Sequence, residues 1–198
     1  MDFPIQLTFK IVALAPQIFV RDAQGREVFY VRQKLLKLKE KIHVFSDSSQ
    51  SREVYQINAD RILDFNAKYA FTDPQGQMAG SIQRRGVKSL WRASYEIAGP
   101  NGPGVYQLEE ENPWVKVLDS LLGEIPILGI FTGYFLHPKY RMQEIATQRT
   151  VLRITKSRSF LESKFQLDLE PGVRLDPQNE TAAVLGVLLM TLLERQRG

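Results

Sequence analysis

Thirteen consecutive residues near the end of the chain, Thr181 to Leu193, carry no charge (TAAVLGVLLMTLL). A surface helix shows one apolar stripe, whereas this stretch is apolar on every face, which describes a helix enclosed on all sides. At 1.5 Å per residue it reaches about 20 Å, short of the ~30 Å hydrocarbon core of a bilayer. Asp176 followed by Pro177 supplies a cap and a first-turn proline. Glu194, Arg195 and Arg197 mark the far end, where cations suit the negative pole of the helix dipole. The expectation is a central core helix over about 177–195 rather than a tail anchor. Whatever else the chain forms has to surround it.

A second apolar stretch, Val117 to Leu136, is 20 residues long but contains Asp119, Glu124, Pro126 and three glycines. Two carboxylates at mid-bilayer are costly, and the prolines and glycines interrupt a helix. The expectation is a short helix at 114–122, a turn, and a buried strand at 125–136, with no transmembrane span.

The rest of the chain reads as strands, organised by a repeat. Arg26-Glu27-Val28-Phe29 recurs as Arg52-Glu53-Val54-Tyr55, 26 residues on, and Phe45 and Asp47 recur as Phe71 and Asp73. Turn tetrads fall at the same interval: Asp22 to Gly25, Asp47 to Gln50, Asp73 to Gly76 and Gly99 to Gly102. Asp at the first turn position, Gly at the last and Pro74 at the second suit a type I turn. Each unit is then a pair of strands, such as 27–32 with 36–45 and 53–58 with 62–71. In the segment 36–45, Leu36, Leu38, Ile42 and Val44 alternate with Lys37, Lys39, Lys41 and His43, as a half-buried strand requires. Glu40 falls on the apolar side, where a bulge or an edge salt bridge would accommodate it.

Further strands are expected at about 104–108, 125–136, 139–145, 148–156 and 159–169. About twelve antiparallel strands and one wholly apolar helix have a simple packing solution: a mainly β, closed antiparallel barrel with the C-terminal helix threaded through it. Closure removes the sheet edges, and the interior offers the helix apolar contacts all round. A length of 198 residues fits one such domain, 1–198, burying roughly 70% of its extended surface.

The segment Tyr30 to Phe45 (YVRQKLLKLKEKIHVF) resembles the opening of LURP-one-related proteins, which share a superfamily with phospholipid scramblases and the tubby C-terminal domain. The recurring Asp hairpins and the terminal apolar helix extend the resemblance from about Phe3 to Arg195. It implies a tubby-like, twelve-stranded barrel around a central helix. It also implies a non-enzymatic protein of a kind often associated with phospholipid or phosphoinositide surfaces. The chain departs from the scramblases in lacking an acidic calcium-binding segment and a Pro-rich N-terminal tail. No phosphoinositide-binding residue of the tubby domain is carried over onto this sequence.

Chemistry-bearing motifs are few. The chain contains no cysteine, which excludes disulfides, thiolate nucleophiles and cysteine metal sites. Its two histidines, His43 and His137, sit in no metal-ligating spacing. Neither a Gly-x-Ser-x-Gly elbow nor a phosphate-binding loop is present. The acidic run Glu109-Glu110-Glu111 reads as a solvated loop. No catalytic residue, metal or cofactor is assigned. The start, Met1-Asp-Phe-Pro, has no basic n-region, and Ile11 to Ala15 is too short for a signal h-region, so a cytoplasmic location is expected.

The bases are unevenly distributed although the formal net charge is only +4. Arg32, Lys34, Lys37, Lys39 and Lys41 fall within ten residues, and Arg84, Arg85, Lys88 and Arg92 follow with no acid among them. Gly99 to Leu136, by contrast, sets Lys116 against five acids. The candidate anionic-ligand residues are Lys34, Lys37, Lys39, Lys41, Arg84, Arg85 and Lys88. On a strand, Lys37, Lys39 and Lys41 form a row that can face an anionic membrane surface peripherally. Lys-rich outer faces also discourage edge pairing, so the same row serves a purely solubilising role equally well. Two functions stay open at this point: a lipid-docking module, or a protein-interaction scaffold with no small ligand. Exposed Trp91, Trp114 or Tyr134 would favour the scaffold. Nucleic acid is a poor fit, because the terminal helix is apolar and the short one acidic.

Overall fold

The computed structural model describes residues 1–10, 17–32, 41–60, 67–85, 94–111, 139–157 and 162–195. Twelve strands are present among them: β1 (Ile5–Lys10), β2 (Gln17–Arg21), β3 (Glu27–Arg32), β4 (Ile42–Phe45), β5 (Glu53–Ala59), β6 (Lys68–Thr72), β7 (Met78–Arg84), β8 (Ser94–Ala98), β9 (Gly104–Glu110), β10 (Lys139–Glu144), β11 (Thr150–Ser157) and β12 (Glu162–Leu169). One helix follows, α1 (Pro177–Arg195). Each strand pairs antiparallel with its sequence neighbour, and β1 pairs with β12, closing the barrel. The expected fold class is therefore observed, and α1 spans the residues that the apolar run marked out.

The 26-residue repeat is a bulged hairpin used again and again. In β2–β3, β4–β5 and β6–β7 an Asp opens the turn and its carbonyl accepts the N–H three residues on, at Gly25, Gln50 and Gly76. The Asp carboxylates bind the same turns from the side: Asp22 Oδ1 accepts from Gln24 and Arg26, Asp47 Oδ1 from Ser49, and Asp73 Oδ1 from Gln75 and Gln77. The residue closing the turn is left-handed, with φ of 76° at Gly25, 58° at Gln50 and 85° at Gly76. Each ladder slips by one residue beside its turn, and the β8–β9 ladder does the same. Because every unit turns at the same place, all these turns lie on one rim of the barrel.

Strand alternation builds the interior. Ile5, Leu7 and Phe9 of β1 face in while Gln6 and Lys10 face out, and Leu108, Met142, Ile154 and Leu167 continue the core around the wall. Asp176 caps α1 through its carboxylate, which accepts the Gln178 N–H at 3.1 Å. From Ala182 to Leu192 the helix is buried. Its one buried hydroxyl, on Thr191, donates to the Leu188 carbonyl at 2.7 Å, so no polar group is stranded.

The helix does not run down the barrel axis evenly. It packs chiefly on β7, β8 and β9. There the contacts are between small residues: a Cβ built on Gly80 would lie 2.6 Å from Ala182 Cβ and 2.7 Å from the Ala98 carbonyl. A Cβ on Gly186 would lie 2.5 Å from Ile97 Cδ1. Larger side chains fill the space elsewhere, with Phe9 edge-on to Phe165 and Phe29 edge-on to Tyr55, both at 5.7 Å.

β9 runs further than expected, continuing through Glu110 within the acidic run read as a loop. The segment expected as a strand over 36–45 is strand from Ile42 to Phe45, and 33–40 lies outside the described residues, as do the helix expected at 114–122 and the strand expected at 125–136. Two substitutions test the turn and the helix seat. Gln50→Gly removes a left-handed side chain and is expected to stabilise by about 0.5–1 kcal/mol. Gly80→Ala meets both a φ of 146° and the Ala182 contact, and is expected to destabilise by about 3 kcal/mol. Denaturant midpoints of the two variants beside the parent decide both.

Candidate functional site

The hairpin architecture sorts charges by barrel end. The turn rim gathers Asp22, Asp47, Asp73, Glu144, Asp176 and Glu180, against Arg26, Arg52, Arg149 and Arg174. The opposite rim, where β3 and β7 end and β4, β6 and β10 begin, carries Arg32, Lys41, Lys68, Arg84, Arg85 and Lys139. Lys10 at the end of β1 and Lys156 near the end of β11 add to it.

Carboxylates on this second rim are engaged locally. Glu110 is fully buried. Glu111 is held by Arg153 at 2.7 Å, Glu162 by Lys164 at 3.4 Å, and Asp60 accepts the Lys68 backbone N–H at 2.9 Å. Arg32, Lys41, Lys68 and Lys139 are exposed, and among the described residues no carboxylate pairs with them. Among the described residues the barrel is therefore charge-polarised along its axis, with a basic rim and an acidic one.

The acidic rim leaves its mark on nearby groups. The Tyr106 hydroxyl is pushed up to about 12 by burial, with Glu144, Asp176 and Glu180 adding to the effect. Asp22 is held below its ordinary 3.8, chiefly by the hydrogen bond from the Arg26 side chain, with the Arg26 and Gln24 N–H groups outweighing the burial that opposes them. Asp47 is lowered by the Ser49 and Ser46 hydrogen bonds.

The sequence-marked residues divide. Lys41 stands exposed just before β4. Arg85 is exposed and paired with Glu96. Arg84 is 7% exposed and turned into the barrel, its guanidinium 6.0 Å from the Tyr95 ring centroid. It shares strand parity with the interior residues Gly80 and Ile82 and so does not join an outer row of lysines. Lys34, Lys37, Lys39 and Lys88 lie outside the described residues. In sequence they fall between β3 and β4 and between β7 and β8. Lys68 and Lys139 were not singled out from sequence. Each is the first residue of an even-numbered strand, and the alternating strand direction around the barrel brings both to one rim.

Other chemistry is sparse. His43 Nδ1 lies 3.0 Å from Glu53 Oε2, a cross-strand pair on the outer face. A hollow of about 410 Å³ beside it is lined by Glu53, Tyr55, Asp73, Gln77 and Met78 among others, and opens to solvent. Asp73 there is committed to its own turn. No three His, Cys, Asp or Glu side chains gather as a metal site among the described residues. Nor is any helix among them long and apolar enough to cross a membrane.

A closed twelve-stranded antiparallel barrel packed around its own C-terminal helix is the architecture of a tubby-like barrel domain. The model of the LURP-one-related family matches residues 27–178, and the chain belongs to that family. The match runs from the start of β3 into the first turn of α1. Neither a search of curated proteins nor one of solved structures returned a match.

The lowered Asp22 carboxylate sets an acid-stability expectation. A group whose folded value lies below its unfolded value contributes stability above the unfolded value and loses it as pH falls through the folded one. Stability of the parent should therefore drop as pH falls below 3.8, and Asp22→Asn should be less stable at neutral pH but lose less over that range. Thermal melts across the acid range of both proteins check the sign.

Proposed function

We propose that this chain is a non-enzymatic, cytoplasmic binding module that docks peripherally on anionic phospholipid surfaces through the basic rim of its barrel. The observation that supports this reading is the axial separation of charge. Among the described residues, exposed Arg32, Lys41, Lys68 and Lys139 sit at one rim, while the acid-rich turns lie at the other.

The physics favours a peripheral and salt-sensitive contact. A base near an anionic leaflet contributes about 1 kcal/mol, and the field decays over a Debye length of ~10 Å at 0.1 M salt. A barrel that repelled the surface with one end and was attracted at the other would approach it end-on. Lys34, Lys37, Lys39 and Lys88 extend the same basic set, with Arg85 contributing beside its Glu96 partner. Arg84, turned inward, supports the rim from within the wall.

Sedimentation with vesicles, neutral or doped with phosphatidylserine, at low and high salt, tests the reading. Lys41, Lys68 and Lys139 changed together to Gln remove about 3 kcal/mol of attraction, a loss of ~100-fold in partitioning. The same loss is expected from Lys34, Lys37 and Lys39 changed together, with melting temperatures preserved in both. Arg84→Gln is expected to lower the melting temperature before it alters docking. Absence of sedimentation under every condition, or sedimentation indifferent to salt and to both triple changes, overturns the proposal and leaves a protein-interaction scaffold.

A further inference from the structure

We propose that Asn101 is a site of spontaneous amide loss, and that the product loosens the seat of the core helix. Asn101 alone among the asparagines is followed by glycine: Ala59, Ala67, Pro113 and Glu180 follow the others. Both Asn101 and Gly102 are exposed at the tip of the β8–β9 turn. Gly102 has no side chain to shield its nitrogen, and the space where a Cβ would stand is open, with no atom within 4 Å. Its φ of 147° is one that residues with a side chain rarely adopt, so the unshielded nitrogen is built into the turn.

The chemistry is intrinsic to the dipeptide and needs only water. The Gly102 backbone nitrogen, losing its proton, attacks Asn101 Cγ. A nitrogen–carbon bond forms, the Cγ–Nδ2 bond breaks, and Nδ2 leaves as ammonia. Water then opens the resulting cyclic imide at one of its two carbonyls. One opening gives aspartate. The other gives isoaspartate, in which the main chain runs through the former side chain and is one methylene longer.

The turn is where such a change is felt. Asn101 Nδ2 donates to Gln178 Oε1 at 3.4 Å, in the first turn of α1. Two residues earlier, Gly99 lies so close to Asn179 that a Cβ there would overlap the Asn179 amide oxygen. Asn179 in turn donates to the Asp176 cap at 2.9 Å. The β8–β9 turn is thus fitted against the helix N-terminus at two points, and a longer main chain cannot keep both. Aspartate loses the weak donor to Gln178 but keeps the backbone length, and it places a negative charge beside the helix N-terminus, which the dipole favours. The two products should therefore differ in stability.

The full-length chain, held at physiological temperature in mildly alkaline buffer and sampled over weeks by peptide mapping and mass spectrometry, tests this directly. The peptide holding Asn101 is expected to gain the mass of an amide-to-acid exchange several-fold faster than any other asparagine peptide, and to split into two isomers. Asn101→Gln should remain unchanged over the same period. Asn101→Asp should melt with the parent, while protein enriched in the isoaspartyl form should melt several degrees lower. Conversion at Asn101 no faster than elsewhere overturns the site. Isoaspartyl protein melting with the parent overturns the coupling to the helix.

Discussion

Everything in this barrel depends on how closely α1 can approach its wall. A helix buried on all faces needs neighbours on all faces, and a ring of twelve strands around a single helix leaves more room than one helix fills. The chain resolves this asymmetrically. Gly80 against Ala182, and Gly186 against Ile97, bring helix and sheet together along β7–β9. Aromatic and long aliphatic side chains then take up the volume that remains, among them Phe9, Phe29 and Phe165. Small residues on one side and large ones around the rest are two halves of one packing solution.

The same architecture arranges charge without any dedicated site. Tight turns favour Asp, and a hairpin repeat puts every such turn at one end. The helix enters at that end as well, so its cap and its first-turn acid, Asp176 and Glu180, join the same rim. The bases are left to the strand ends opposite. An axial separation of charge follows from turn chemistry, from helix capping and from the placement of Lys41, Lys68 and Lys139. That separation is the observation behind the docking proposed for this member of the LURP-one-related family.

Much of the fold was readable in the residues. The Asp tetrads located the turns, and the uncharged run at 181–193 marked the helix from its cap onward, because both signals are local and chemically specific. Reading the ends of strands was harder. The run Glu109-Glu110-Glu111 has the composition of a solvated loop, yet β9 extends through Glu110, which is fully buried. Charge records what solvates easily, not how far backbone pairing extends. Arg84 shows a different difficulty. Its parity with Gly80 and Ile82 already pointed inward, but its charge drew it to the surface set, and burial against Tyr95 depends on neighbours distant in sequence. Lys68 and Lys139 each look unremarkable alone, and become a group only once the repeat is wrapped into a ring.

Closure by β1 against β12 also imposes an order of events on the nascent chain. Ile5 lies opposite Leu167, and the helix that fills the interior comes later still. Neighbouring hairpins can form as they are made, since each joins strands adjacent in sequence. The ring keeps two open edges until β12 has been synthesised, and a hollow centre until the helix follows. Such long-range closure is slow compared with local pairing. During that interval the inward faces of β7–β9, shaped to receive Ala182 and Gly186, stay exposed. Synthesis of this chain therefore passes through a stage in which a nearly complete sheet waits for its core, and that stage is where a chaperone would have most to shield.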